Sequence, residues 1–328
     1  MNIKVNLIID GNYMLYRNIF SLHKTKTLFG DLLTSLEVSI NRHIKQYPFE
    51  KIYLVSDTRS ASWRKSIYSA YKEQRKKDEN IDWDFCFNTF DQFKEELKET
   101  NKRVTVLQSE GLEGDDFIHF LTKRANKKGE SNVIVASDGD IIQLLDYRLN
   151  PTWINIQLKD DAYRPKLYVP QGYKLFLREL KTAEQDLFNL NDNDLFLSYY
   201  NTLTDRCPVE EVDSEHRLFI KIVSGDVGDN IKSILITEQK SGIKRGIGEA
   251  GANKIWESYK LHYPNQIIFS EDKWIDNLIP YVAEYKKVEL STEMEALIKN
   301  NVQFNRKLVH FDIKHYPKQI LEKAKAIL

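Results

Sequence analysis

The sequence predicts an α/β fold on a twisted, mostly parallel sheet flanked by helices. Three observations carry this expectation. Short continuous apolar runs read as strands buried on both faces, amphipathic segments lie between them, and each run ends at a carboxylate or a carboxylate cluster. The runs Val5–Ile9, Lys51–Ser56, Arg103–Leu107 and Val133–Ala136 lead to Asp10, Asp57, the stretch from Glu113 to Asp116, and Asp138. Ligands of an open parallel sheet bind beyond the carboxyl ends of its strands, so these acids can share one crevice although more than a hundred residues separate the first from the last.

Taken in order, the first run delivers Asp10-Gly11-Asn12 to a turn, followed by a helical segment over Tyr13–Phe20. The second run is followed by residues 59–77, with seven basic residues against one acid, interleaved with Trp63, Tyr68 and Tyr71. Aromatic rings among cations suit single-stranded nucleic acid, the rings stacking on bases and the cations meeting phosphates. A solvated helix face is the competing reading of a charge run this short. Asp82–Thr100 reads as an amphipathic helix with Phe85, Phe90, Phe93 and Leu97 inward. Another helix begins near Asp115, with Phe117, Ile118, Phe120, Leu121 and Ala125 on one side and Lys127-Lys128-Gly129 closing it.

From residue 150 to 217 the pattern weakens to a strand at Trp153–Ile156 and helices at Tyr173–Leu180 and Asp194–Thr202, to which no chemistry is assigned. Order returns at Leu218–Val223, followed by Gly225-Asp226-Val227-Gly228-Asp229-Asn230. The i, i+3 spacing of Asp226 and Asp229 puts both on one face if that turn is helical. A basic loop with Lys240, Lys244 and Arg245 precedes Gly246-Ile247-Gly248 and Gly251, a glycine turn opening a helix whose free N–H groups can hold a phosphate.

The acids demand an explanation. Helix caps account for one or two of Glu113, Asp115, Asp116, Asp138 and Asp140 but not for all five at one edge. Two carboxylates about 4 Å apart repel by roughly 4 kcal/mol at an effective dielectric near 20. Hard cations such as Mg²⁺ or Mn²⁺ relieve that repulsion. Composition is that of an ordinary globular protein, with 48 basic and 48 acidic residues and no global charge to mark a nucleic-acid binder. The two cysteines, Cys86 and Cys207, have no paired spacing, which points to a reducing compartment and no structural zinc. The N-terminus enters a strand at once and no run approaches a membrane span, so a cytoplasmic location is expected.

The ordered set Ile9-Asp10-Gly11, Val55-Ser56-Asp57, Tyr71-Lys72-Glu73-Gln74-Arg75, Glu113-Gly114-Asp115-Asp116, Ser137-Asp138-Gly139-Asp140, Gly225–Asn230 and Gly246-Ile247-Gly248 resembles the flap-endonuclease, or 5′-to-3′ exonuclease, family. Residues 305–312 are similar to its branch of T-even bacteriophage RNases H in particular. The resemblance implies a PIN-like 5′-nuclease core at 1–160 with a helical arch at 59–100, a lineage-specific helical region at 161–217, and a helix–three-turn–helix with a C-terminal helical region at 218–328. It implies two Mg²⁺, with Mn²⁺ as a substitute. Asp10, Asp57, Asp115 and Asp138 would surround the first metal, and Glu113, Asp140, Asp226 and Asp229 the second, with Asp116 close by. Arg64, Lys72 and Arg75 would contact the scissile phosphate. Tyr71, Lys76, Lys244, Arg245, Gly246, Gly248 and Gly251 would contact nucleic acid, with a K⁺ at the helix–three-turn–helix. The implied substrate is duplex DNA carrying a 5′ single-stranded flap or RNA primer. The implied setting is replication in a host cell's cytoplasm, by a monomer working beside proteins such as a single-stranded DNA-binding protein.

Two other readings compete with this one. A PIN-type ribonuclease shares the acidic core but needs neither the basic segment nor the glycine turn. A noncatalytic DNA-binding scaffold on the same fold would be marked by lost ligands, and none of the nine carboxylates is replaced.

Overall fold

The computed structural model describes residues 3–149, 152–161, 164–186, 191–238, 242–268 and 272–328; Lys240 lies outside them. In chain order the elements are β1 (Val5–Asp10), α1 (Gly11–Thr25), α2 (Leu28–Ile44), β2 (Lys51–Val55), α3 (Arg64–Ile67), α4 (Trp83–Thr100), β3 (Val104–Leu107), α5 (Gly114–Asn126), β4 (Ser131–Val135), β5 (Tyr147–Leu149), β6 (Thr152–Lys159), β7 (Lys166–Pro170), α6 (Tyr173–Asp186), α7 (Asn191–Arg206), β8 (Val209–Val212), α8 (Ser214–Ser224), β9 (Thr237–Glu238), β10 (Lys244–Arg245), α9 (Glu249–His262), α10 (Lys273–Lys286), α11 (Thr292–Val309) and α12 (Lys318–Ile327). They form two compact units. The first comprises residues 1–63, 77–212 and 317–328, the second residues 64–76 and 213–316.

The first unit is built on one sheet with the order β3-β2-β1-β4-β6-β7-β8, and β5 pairs with β6. Strands β3, β2, β1, β4 and β6 run parallel, while β7 is antiparallel to β6. Every residue of β1 and β4 is buried, in keeping with their mostly apolar runs, and the polar Asn6, Ser131 and Asn132 are buried with them. The chain leaves β1 to build β2 and β3 on one side and returns to β4 on the other. The carboxyl ends of β1 and β4 therefore flank the point where the strand order reverses, the usual ligand crevice of such sheets. Helix α2 buries Leu28, Leu32, Leu36, Ile40 and Ile44. Gly11 opens α1 where a Cβ would come within 2.8 Å of the Val55 carbonyl and 2.9 Å of the Phe90 ring. Only glycine lets the helix start that close to β2.

The second unit is helical around its own core, in which Phe219, Tyr259 and Trp274 are fully buried. Among its described residues the antiparallel pair β9–β10 forms a small sheet. No helix among the described residues is long and apolar enough to cross a membrane.

Several expectations need correction. Within residues 59–100 the helices are α3 and α4. Between 59 and 82 only α3 is helical, Trp63 and Tyr71 are buried cores rather than exposed stacking rings, and α4 buries Phe90, Phe93 and Leu97 in the first unit. Residues 161–217 are not purely helical, since β7 and β8 extend the sheet. The turn holding Asp226 and Asp229 is closed by an antiparallel bridge from Asp226 to Ile231 instead of being helical.

Candidate metal centre

Each carboxylate of the first unit is placed by the end of a strand. Asp10 closes β1 and caps α1, its Oδ1 accepting the Tyr13 N–H at 3.0 Å. Asp57 follows β2; its N–H donates to Asn12 Oδ1 (2.9 Å) and its Oδ1 accepts the Gly114 N–H (2.7 Å), which ties the β2 end to the start of α5. Asp138 follows β4 and caps a short 3-10 turn, Oδ1 accepting the Asp140 N–H at 2.7 Å. Gln157 of β6 donates to the Asp138 carbonyl at 2.8 Å. Because β2, β1 and β4 are parallel neighbours, all three ends open on the same edge.

The electrostatics of Asp10 express that convergence. Its carboxyl is pushed up from 3.8 to about 7, first by burial and then by the charges of Asp57 and Asp138, against the opposing hydrogen bonds from Tyr13 and Asn12. A carboxylate held next to two others and only 9% exposed is costly to ionise without a cation. The donor set is all carboxylate oxygen, the chemistry hard divalent cations select, so the residues fit the metal the sequence implied.

At the start of α5, Asp115 is half-buried, while Glu113 (8% exposed) and Asp116 (fully buried) form a capping box. Asp116 Oδ2 accepts the Glu113 N–H at 2.9 Å and the Trp63 indole N–H at 3.0 Å. Asp116 therefore orients Glu113 from within the core. Asp140 is half-buried beside Asp138.

The remaining predicted residues belong to the second unit. Asp226 pairs with Lys221, whose hydrogen bond and charge hold its carboxyl low despite the upward push of burial. Asp229, 8% exposed, receives Arg75 at 2.5 Å and the Tyr71 hydroxyl at 2.9 Å. Arg64 was expected at the phosphate, yet it is only 4% exposed and its Nε donates to the Leu308 carbonyl at 2.9 Å, tying down the end of α11. Lys72 is half-buried in the left-handed region at φ 57°, and Lys76 is exposed. Lys244, Arg245, Gly246 and Gly248 are exposed, on the hairpin and the start of α9. Gly251 is not available to a ligand: it is buried inside α9, where a Cβ would overlap the Tyr285 ring.

Three features escaped the sequence reading. Asn12 and Gln157 position the ends of β2 and β4 through contacts that carry no local motif. More conspicuous is a half-exposed aromatic cluster in the first unit. Tyr16 and Phe20 of α1 meet Trp83 at the start of α4, with centroids 5.7 and 6.3 Å away, and Trp83 meets Phe87 at 6.0 Å. Lys77 lies over Trp83 and Phe87, and Arg59 over Phe87. Tyr16 and Phe20 also line a cleft with Arg17, Lys24, Arg42 and Ser137, the residue before Asp138. Aromatic spacing at i, i+4 along α1 was the available signal.

Comparison with known proteins gives a consistent picture. Residues 5–167 match the 5′-3′ exonuclease N-terminal resolvase-like domain. A 5′-3′ exonuclease of Mycoplasmopsis pulmonis is 24% identical over 307 residues, covering 92% of this chain and 81% of that protein. Ribonuclease H of Enterobacteria phage T4 is 29% identical over 126 residues, or 37% of this chain and 41% of the phage protein. The fold matches that of the bacteriophage T5 flap endonuclease, solved as a pseudo-enzyme–product complex with DNA and metal ions. The TM-score is 0.60 and the identity 15%, over 99% of this chain and 98% of that one.

Proposed function

The chain belongs to the 5′-to-3′ exonuclease family, and from that premise we propose that it is a structure-specific 5′ nuclease which hydrolyses phosphodiesters at a divalent-metal centre in its first unit. The observation that carries the reading is the convergence of Asp10, Asp57 and Asp138 at neighbouring parallel strand ends, expressed in the raised carboxyl of Asp10. In this proposal Asp10, Asp57, Asp115 and Asp138, with Glu113 and Asp140, hold two Mg²⁺, and Mn²⁺ substitutes. When bound, such cations lower the pKa of an attacking water and offset charge on the phosphoryl group.

The protein's own residues do the positioning. Asn12 fixes the loop of Asp57, Gln157 fixes the carbonyl of Asp138, and Asp116 fixes Glu113. The Tyr16, Phe20, Trp83 and Phe87 rings stack against the bases of a single strand, while Lys77 and Arg59 meet its phosphates, a sequence-tolerant mode of binding. Lys72 and Arg75 in the second unit contact phosphate. The exposed Lys244, Arg245, Gly246 and Gly248 hold duplex backbone without reading sequence. Asp226 and Asp229, each with a cationic partner in its own unit, shape the 225–230 loop. The substrate proposed is duplex DNA with a 5′ flap or an RNA primer.

Asp138→Asn tests the reading. It keeps the capping geometry, since asparagine also caps, but removes a charge from the centre. Cleavage should vanish while DNA binding persists; a variant that cuts at the normal rate would refute the assignment.

A further inference from the structure

The second unit holds a side-chain cluster that the nuclease chemistry leaves unused. His310, Asp312 and His315 follow one another through the turn leaving α11, and one ligand-capable atom of each lies within 4.8 Å of those of the other two. Backbone bonds shape this turn. The Asp312 N–H donates to the His310 carbonyl at 2.9 Å, the His315 N–H to the Asp312 carbonyl at 2.9 Å, and Asp312 Oδ1 accepts the Lys314 N–H at 3.1 Å. The two imidazoles stand edge to face with centroids 5.5 Å apart. His315 Nε2 is buried and meets no hydrogen-bond partner among the described residues. Buried polar atoms are nearly always satisfied, so this nitrogen calls for a partner of another kind.

Against the expectation of no structural zinc drawn from the cysteines, we propose that His310, Asp312 and His315 form a second, structural metal site for a borderline transition cation, of which Zn²⁺ is the best fit. Two imidazole nitrogens and one carboxylate oxygen suit Zn²⁺ and are poor ligands for Mg²⁺, which the all-oxygen centre of the first unit suits instead. A tetrahedral Zn²⁺ with bonds of about 2.0–2.2 Å sets its ligands roughly 3.4 Å apart. All three side chains are half-buried, so small rotations bring them to that spacing. The turn also sits at the C-terminal end of α11, where the helix dipole favours a cation. On the other side, Arg306 approaches His310 Nδ1 at 3.5 Å, although Asp272 holds that guanidinium at 2.5 Å, and Lys307 and Lys314 are close in sequence. These cations weaken the site and mark it as one of moderate affinity. Occupied, it would pin residues 310–315 to the end of α11.

The test is equilibrium dialysis of the full chain against Zn²⁺ in a large excess of Mg²⁺, which saturates the oxygen-only centre. One zinc per chain should be retained by the wild type and by Asp138→Asn. Binding should be weakened more than about tenfold in His315→Gln and in Asp312→Asn. Asn at 312 keeps the Lys314 cap, so that variant reads metal binding even if His315→Gln folds poorly. Co²⁺ in place of Zn²⁺ should develop the intense visible absorption of a low-coordinate nitrogen site in the wild type and in Asp138→Asn, but not in Asp312→Asn. No zinc retained in excess Mg²⁺, or equal retention in wild type and Asp312→Asn, overturns the proposal. Neither result bears on the nuclease reading, which rests on the carboxylates of the first unit; loss of zinc at Asp138→Asn alone would place the ion in that unit and likewise overturn the proposal.

Discussion

Asp10→Asn separates a metal-binding carboxylate from a simple helix cap. The Asp10 carboxyl is raised from 3.8 to about 7 by burial and by Asp57 and Asp138. In the folded, metal-free protein it therefore binds a proton between those pH values, whereas the unfolded chain does not. Stability is lost as pH rises through that window, by at most about 4 kcal/mol at pH 8. Asparagine still caps α1 through Tyr13 but carries no charge. In EDTA at pH 8 the variant should thus be more stable than the wild type, with Tm higher on the order of 10 °C for a unit of this size. The pH slope between about 4 and 7 should flatten. Added Mg²⁺ should stabilise the wild type and do much less for the variant, which should not cleave. Scanning calorimetry with and without EDTA reads all of this. A metal-free variant that melts at or below the wild-type temperature at pH 8 would show Asp10 to be an ordinary cap and refute the argument.

Other predictions test the supporting parts. Asp116→Asn removes charge from an acceptor of two buried N–H groups, Trp63 and Glu113; it should destabilise the first unit by about 1–3 kcal/mol and depress cleavage, and unchanged stability in urea unfolding would contradict its role. Arg75→Ala breaks a pair whose arginine is half-exposed. It should cost about 1 kcal/mol or less while lowering cleavage, as should Lys72→Ala, and normal cleavage in both would remove them from the phosphate. Trp83→Ala should weaken single-strand binding by about 1–3 kcal/mol and spare duplex binding, as measured by fluorescence anisotropy; equal losses for both would argue against stacking.

The strands and their terminal acids were legible because strands buried on both faces are mostly apolar, with only a few buried polar residues such as Asn6 and Asn132. Helix α2 was equally legible in principle, since Leu28, Leu32, Leu36, Ile40 and Ile44 recur at four-residue intervals on its buried face. What the pattern could not convey was which face of an amphiphilic residue the tertiary structure uses. Trp63 and Tyr71 looked like stacking rings among cations, but each spends its polar atom on a buried carboxylate, Asp116 and Asp229. Arg64 looked like a phosphate ligand and closes a helix end instead. Asp116 resembled a further ligand because capping boxes and metal clusters draw on the same residue types. Strand β8 reads Val-Glu-Glu-Val and is short, with no apolar run to announce it.

The central claim is most directly tested by cleavage of a 5′-flapped DNA duplex and an RNA-primed duplex, each labelled at both ends, in Mg²⁺ and then in EDTA. Metal-dependent products should be released from the 5′ side of at least one substrate, and none in EDTA. Tight binding to both substrates without cleavage in Mg²⁺ or Mn²⁺ would contradict it and leave a DNA-binding scaffold in its place.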